Sequence, residues 1–409
     1  MRWLVVLSIF LIIEYYSWQG FKYSSFFSQP PAKSIASFFY VGLLLLTYGY
    51  WMSFASGWVS TWPKIWDTLI RALVLITLFA KLIVGGIMLL DDCRRILVAM
   101  AGFMNIPGSF HAGRSVFLAN TGIILGGLPF IALLYGVVRN GYRYRMHRHV
   151  VKKSGLPSAL NGLKIVQISD IHAGSFYRQA PLHDVVALIN EEKPDLVFFT
   201  GDLVNNTAPE IVPYKSIFAN IQAKYGVYSV LGNHDYGDYV AWNSPQDKKQ
   251  NLLDLFRHHD EMGWQLLINE HRLLQINGHD IAVIGVENFS VHPRFPKYGN
   301  LAQATAGVPD HTTLKILLSH DPSHWHHEVT KNYSDIDLTL SGHTHGFQFG
   351  VEIPGWLKWS PAQYMYKEWA GLYQHGTQYL NVNRGLGFLG YPGRLGILPE
   401  ITSIELQTV

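Results

Sequence analysis

Three runs of apolar residues constrain this chain more than anything else in it: 36–54, 68–90 and 116–138 each approach or exceed the roughly 20 residues that cross about 30 Å of hydrocarbon. An earlier run, 3–16, is shorter, because its apolar core stops at Glu14. Arg2 ahead of it would suit a secretory signal, yet Trp18, Gln19 and Gly20 stand where small residues would mark a cleavage site, so the run reads as a short first span. Three or four helices before Arg139 are therefore expected. The composition, 48% hydrophobic against 15% charged, owes its imbalance to this front third.

Lysine and arginine beside the spans set orientation. Arg139, Arg143, Arg145, Arg148, Lys152 and Lys153 follow the last span, interleaved with Tyr142 and Tyr144, and vote for a cytoplasmic location of what comes next. Arg94, Arg95 and Arg114, in the expected third loop, vote the other way. Beside a span the basic cluster reads as an anchor for anionic lipid, and no nucleic-acid partner is expected. The chain is thus expected to be a multi-pass protein of a cell inner membrane, with residues 1–150 as its transmembrane domain and 151–409 as a cytoplasmic domain. Lys81 lies inside the third span, where an ionisable residue either marks function or snorkels to an interface. Cys93 is the sole cysteine, which excludes an intrachain disulfide and any thiolate metal cluster.

Past residue 162 strands and helices alternate, the grammar of a layered α/β domain. Leu163, Ile165, Val166 and Ile168 read as a strand buried on both faces, with Asp170 and His172 at its end; if extended geometry persists, the two project together. Helices are expected over 181–193, 212–224 and from Ser244 to about 262, and a hairpin turned by Asn277-Gly278 over 272–285. Four further apolar strands end in Gly201-Asp202, in Gly232-Asn233-His234-Asp235, in Ser319-His320 and in Ser341-Gly342-His343-Thr344-His345. Residues 347–373 are unusually aromatic, which suits either a loop layer packed on the domain or a lip dipping into the membrane interface.

Strand ends therefore gather Asp170, His172, Asp202, Asn233, His234, His320, His343 and His345. Oxygen and imidazole donors without thiolate suit two divalent metal ions, manganese first and iron or zinc otherwise, and the count exceeds one cation's needs. Such a pair can clamp the oxygens of a phosphate and activate a water, which points to phosphoester hydrolysis.

In their order and placement the blocks DIH, GD, GNHD, SH and GHTH resemble the calcineurin-like metallophosphoesterases over residues 163–409. The resemblance implies a sandwich of two mixed sheets flanked by helices. It implies that Asp170, His172 and His345 hold one metal, that Asn233, His320 and His343 hold the other, and that Asp202 bridges them. His234 would contact the phosphoryl group as the catalytic acid, with Asp235 orienting a histidine. Gln348, the segment 383–387, Pro392, Arg394 and the segment 399–401 are similar to a membrane-associated branch that includes the UDP-2,3-diacylglucosamine pyrophosphatases, although Phe347 stands where that branch commonly has glycine. The expected function is that of a membrane-anchored hydrolase acting on a phospholipid or lipid-linked phosphate. A tethered phosphodiesterase or phosphatase for a soluble substrate, and a receptor without turnover, remain as alternatives. Arg384 and Arg394 could bind phosphate or serve structure.

Overall fold

Backbone amides in hydrocarbon must find partners within the protein, and continuous apolar runs of about 20 residues meet that need as helices. The computed structural model describes residues 2–103, 112–353 and 355–409, and the chain divides into the units Met1–Val138 and Arg139–Val409. The first unit is built from α1 (Arg2–Tyr23), α2 (Pro30–Ala55), α3 (Lys64–Phe103) and α4 (Ala112–Tyr135). Pro30–Ala55, Lys64–Phe103 and Gly113–Asn140 are long and apolar enough to cross a membrane. Small residues let the helices close up: a Cβ on Gly126 of α4 would come within 2.9 Å of the Ala80 carbonyl oxygen of α3.

Inside this unit Lys81 does not snorkel. Its ammonium lies 2.7 and 2.9 Å from the two carboxylate oxygens of Glu14, and the Tyr40 hydroxyl donates to the same carboxylate at 2.8 Å. The Tyr40 ring also sits 4.6 Å from Lys81 Nζ, a cation–π contact. One ion pair thus ties α1, α2 and α3 together. Arg94 and Arg95, expected in a loop, lie instead within α3, paired with Asp91 at 2.7 Å and Asp92 at 3.1 Å.

The second unit is a sandwich. In chain order its strands are β1 (Arg145–Lys153), β2 (Lys164–Ile168), β3 (Leu196–Phe199), β4 (Val227–Ser229), β5 (Trp264–Leu266), β6 (Glu270–Ile276), β7 (His279–Gly285), β8 (Leu314–Leu318), β9 (Leu338–Ser341), β10 (Val351–Ile353), β11 (Leu357–Trp359), β12 (Gly371–His375), β13 (Gln378–Val382) and β14 (Glu400–Thr408). One six-stranded sheet runs β1-β14-β2-β3-β4-β5, the other β12-β13-β9-β8-β7-β6, and β10 and β11 form a separate hairpin. Strands β2 to β5 are parallel, as are β7, β8, β9 and β13, while β14 runs antiparallel to β2. Period-two alternation explains the double burial. Ile165, Phe198, Ile316 and Leu340 share the core between the sheets, whereas Val166, Val197 and Phe199 face α5 (Ala180–Glu191) through Leu182, Val185 and Ile189.

Several elements depart from the sequence expectation. The basic segment after the last span is not all juxtamembrane, since Arg145–Lys153 forms β1 and pairs in parallel with β14; an expected boundary at 150 would cut that strand. The helix expected over 212–224 shrinks to α6 (Lys215–Phe218). Its continuation is blocked where the Asn220 side chain donates to the Ser216 carbonyl at 2.6 Å, the acceptor that the next helical amide would need. By contrast α7 (Pro245–Glu261) starts on its Ser244 cap, and β6 and β7 pair around Asn277 and Gly278, both at positive φ.

Replacing Lys81 by Met strands a buried carboxylate. The single variant should lose about 3 kcal/mol or more, and the double variant Glu14→Gln/Lys81→Met should regain most of it, as measured by thermal or denaturant unfolding of the detergent-solubilised chain.

Candidate metal centre

Every residue of the expected constellation comes from the carboxyl end of a strand, but not in the manner that period two suggests. Asp170 (φ 48°), His172 (φ 46°), Asp202 (φ 60°), His343 (φ 71°) and His345 (φ 50°) all occupy left-handed backbone, so extended geometry stops at Ser169. Asp and His enter this region more readily than most residues, and concentrated strain of this kind is characteristic of functional sites. Strand β2 therefore breaks into a tight turn that aims Asp170 and His172 inward.

Two groups result. In the first, His172 Nε2 lies 3.0 Å from His345 Nε2, and Asp170 Oδ1 lies 3.3 Å from His345 Nε2. In the second, His343 Nδ1 lies 3.2 Å from His320 Nε2, which is 3.2 Å from Asp202 Oδ2. That same Asp202 oxygen is 3.5 Å from His172 Nε2, so one carboxylate sits between the groups. Donor atoms within each group lie within 4.8 Å of one another, a spacing that could hold a metal ion.

The donors are prepared for such a role. His320 Nδ1 donates to the Thr200 carbonyl at 2.7 Å, leaving Nε2 to face inward. Asn233 Nδ2 donates to the Tyr239 hydroxyl at 2.8 Å, and Asn233 Oδ1 is buried with no hydrogen-bond partner among the described residues. A buried carbonyl oxygen without a donor is costly unless a cation meets it. Burial drives His172 down to about 3 and His343 to about 4, and it holds His345 well below the usual histidine range, so these imidazoles stay neutral and can ligate. Burial also works against charge on His320, yet the adjacent Asp202 pushes it up to about 10. Asp170 is pushed up to about 6 by burial and Asp202 together. Divalent cations would favour the ionised carboxylates and neutral imidazoles throughout, and the donor set fits them.

His234 stands beside the groups. Its backbone amide donates to Asp202 Oδ1 at 2.8 Å, its Nδ1 is 2.7 Å from the Asn205 carbonyl, and its ring packs edge-on against His172 at 5.0 Å. Asp235 has a different task from the one expected. Among the described residues it bonds no histidine; its carboxylate accepts the backbone amides of Asp202, Leu203, Val204 and Gly232 at 2.8 to 3.2 Å and so fixes the loop that carries Asp202. Arg384 pairs with Glu352 and Glu400, and Arg394, fully buried, donates to the carbonyls of Arg384, Gly385 and Gly387. Both arginines hold loops together.

A cavity of about 340 Å³ opens over the centre, and its walls include residues that the motifs did not reveal. Arg294 and Phe295 come from the loop after β7, Leu389 from the segment before β14, and Tyr239, Met365 and Tyr366 complete the wall beside Phe347. Phe295 meets the His343 ring edge-on at 4.6 Å. No motif spacing marks these positions; Tyr366 lay within the aromatic segment but carried no periodic signal.

Fold and site together are those of a metal-dependent phosphoester hydrolase, and comparison with known proteins agrees. The family described as calcineurin-like phosphoesterase matches residues 163–347, and that described as probable calcineurin-like phosphoesterase, transmembrane domain, matches residues 1–141. The metallophosphoesterase YkuE of Bacillus subtilis (strain 168) is 31% identical over 267 residues, which cover 64% of this chain and 84% of YkuE. A transmembrane protein with metallophosphoesterase domain from Danio rerio is 29% identical over 288 residues, 68% of this chain and only 60% of that relative's length. Among solved structures, a dimetal phosphatase from Danio rerio aligns with a TM-score of 0.35 at 12% identity, covering 60% of this chain and 93% of its own. The chain belongs to the calcineurin-like metallophosphoesterases and carries the family's transmembrane domain.

Because Asp235 anchors four amides, Asp235→Ala should destabilise the full chain by about 3 kcal/mol and lower its metal content, checked by thermal unfolding alongside elemental analysis.

Proposed function

We propose that this membrane-associated hydrolase cleaves a phosphoester or pyrophosphate bond in a lipid-linked substrate, similar to UDP-2,3-diacylglucosamine, on the cytoplasmic side of a cell inner membrane. Asp170, His172 and His345 hold one divalent cation and Asn233, His320 and His343 the other, with Asp202 shared and manganese the first candidate. What carries the proposal is the single Asp202 oxygen lying 3.2 Å from His320 and 3.5 Å from His172, where it can serve both donor groups. Bound there, the cations would neutralise phosphoryl oxygens and make water a competent nucleophile.

His234 is the acid. With Nδ1 committed as donor to the Asn205 carbonyl, Nε2 is the nitrogen left to face the departing oxygen, and it gives up a proton there only from the doubly protonated ring. The Asn205 contact also fixes the ring plane, so the proton is delivered from a set direction.

Support for an amphiphilic substrate comes from the cavity wall, where Phe295, Phe347, Met365 and Leu389 offer apolar surface next to the Arg294 guanidinium. A second phosphate beside the scissile one would meet that cation. The β10–β11 hairpin exposes Val351, Ile353, Trp356 and Leu357, and Trp356 is 78% exposed. An apolar patch of this kind suits contact with lipid. Arg139 and Arg143, next to the last span, favour the cytoplasmic side.

Asp202→Ala should abolish both turnover and metal binding, whereas His234→Ala should keep its metal and lose about 10²- to 10⁴-fold in kcat. Elemental analysis of the two purified variants separates those roles. With Mn²⁺ supplied, a lipid pyrophosphate in mixed micelles should be turned over faster than soluble nucleotides or phosphomonoesters; hydrolysis of only the soluble compounds would remove the lipid from the proposal.

A further inference from the structure

Tyr366 lies outside every motif block, on the aromatic segment, yet its hydroxyl is 2.8 Å from His343 Nε2 and donates to Asp321 Oδ2 at 3.4 Å. The phenol is buried, with the residue 6% exposed. Counting protons along this line of three groups decides the state of the histidine. An ionised carboxylate can only accept, so the tyrosine proton goes to Asp321. The phenolic lone pair is then what faces His343, and Nε2 must carry a proton to donate to it. A neutral imidazole has one N–H, so Nδ1 is left with its lone pair, and Nδ1 is the atom turned toward His320 Nε2 at 3.2 Å.

We infer that Tyr366, with Asp321 behind it, is a positioning residue that fixes the His343 tautomer for the cation shared by Asn233, His320 and His343, and not for its neighbour. The inference rests on the metal assignment proposed above. The geometry makes the effect one-sided, because Asp170, His172 and His345 make no hydrogen bond to Tyr366 among the described residues, while His343 does. Asp321 Oδ2 also lies 3.5 Å from His343 Nε2, so loss of the phenol weakens the restraint without erasing it. Partners of this type typically change metal affinity by about 10- to 100-fold.

The test uses the full chain in detergent, stripped with chelator and titrated with Mn²⁺ by calorimetry, with the electron paramagnetic resonance signal of a coupled ion pair as a second readout. Wild type should bind two ions. Tyr366→Phe should bind the first with unchanged affinity and the second about 10- to 100-fold more weakly, with the metal-free protein melting as wild type does. Tyr364→Phe, on the same segment with its side chain exposed, should titrate as wild type. Asp321→Ala, which removes the acceptor for the tyrosine proton, should repeat the selective loss and serves if Tyr366→Phe does not fold. Two ions bound with wild-type affinity in both the Tyr366 and Asp321 variants, or both ions weakened equally, would overturn the inference alone. A wild-type chain that binds fewer than two ions would overturn the metal assignment and the inference with it.

Discussion

The junction between the ends of β2 and β9 is what the centre depends on. Asp170, just past β2, accepts the His343 backbone amide at 3.1 and 3.0 Å, and Gln167, within β2, donates to the Ser341 carbonyl at 2.8 Å. Asn381 of β13 donates in turn to Gln167 at 2.7 Å. Gln167, Asp170, Ser341 and Asn381 are fully buried and link two different sheets, and their bonds are satisfied only when the sheets are in one register. Apolar packing between Ile165, Phe198, Ile316 and Leu340 would tolerate small slips; this polar seam does not. The approach is so close that a Cβ on Gly342 would fall 1.9 Å from Ser169 Oγ. Without the seam, donors from the two sheets could not share a centre.

The motif blocks were legible because chemistry, not packing, chooses those residues. Buried strands could be read from their continuous apolar runs, as in β3, and the hairpin from Asn277-Gly278. The turns after the strands could not. Nothing in the string from Ser169 to His172 says that Asp170 and His172 take left-handed backbone, since Asp and His are common in every other conformation too. Strand β1 was hidden by its charge. Its burial pattern is mostly open, with Val151 the one buried position, and arginine and lysine at an edge strand look like a juxtamembrane anchor until the partner strand is known.

In the membrane unit hydropathy misjudged a pair by weighing its members singly. Glu14 ended an apolar run and Lys81 interrupted another, and each alone argues against a buried helix. Together they neutralise one another at 2.7 Å, so α1 and α3 pass through both positions without a break. The side chain that would have explained either residue stood 67 positions away in sequence. Tyr366 follows the same logic at the metal centre: its value lies in a contact to His343 that no local pattern encodes.

The place of β14 sets a timetable for biogenesis. This strand is wedged between β1 and β2, so the first sheet cannot close until Glu400–Thr408 has left the ribosome. Asp170 and His343 are 173 positions apart, and their contact likewise waits for late synthesis. Long-range pairing of this kind folds slowly. The donors after β2, β3 and β4 therefore emerge as an incomplete half-cup, which the donors after β8 and β9 complete only when the second sheet has formed beside it.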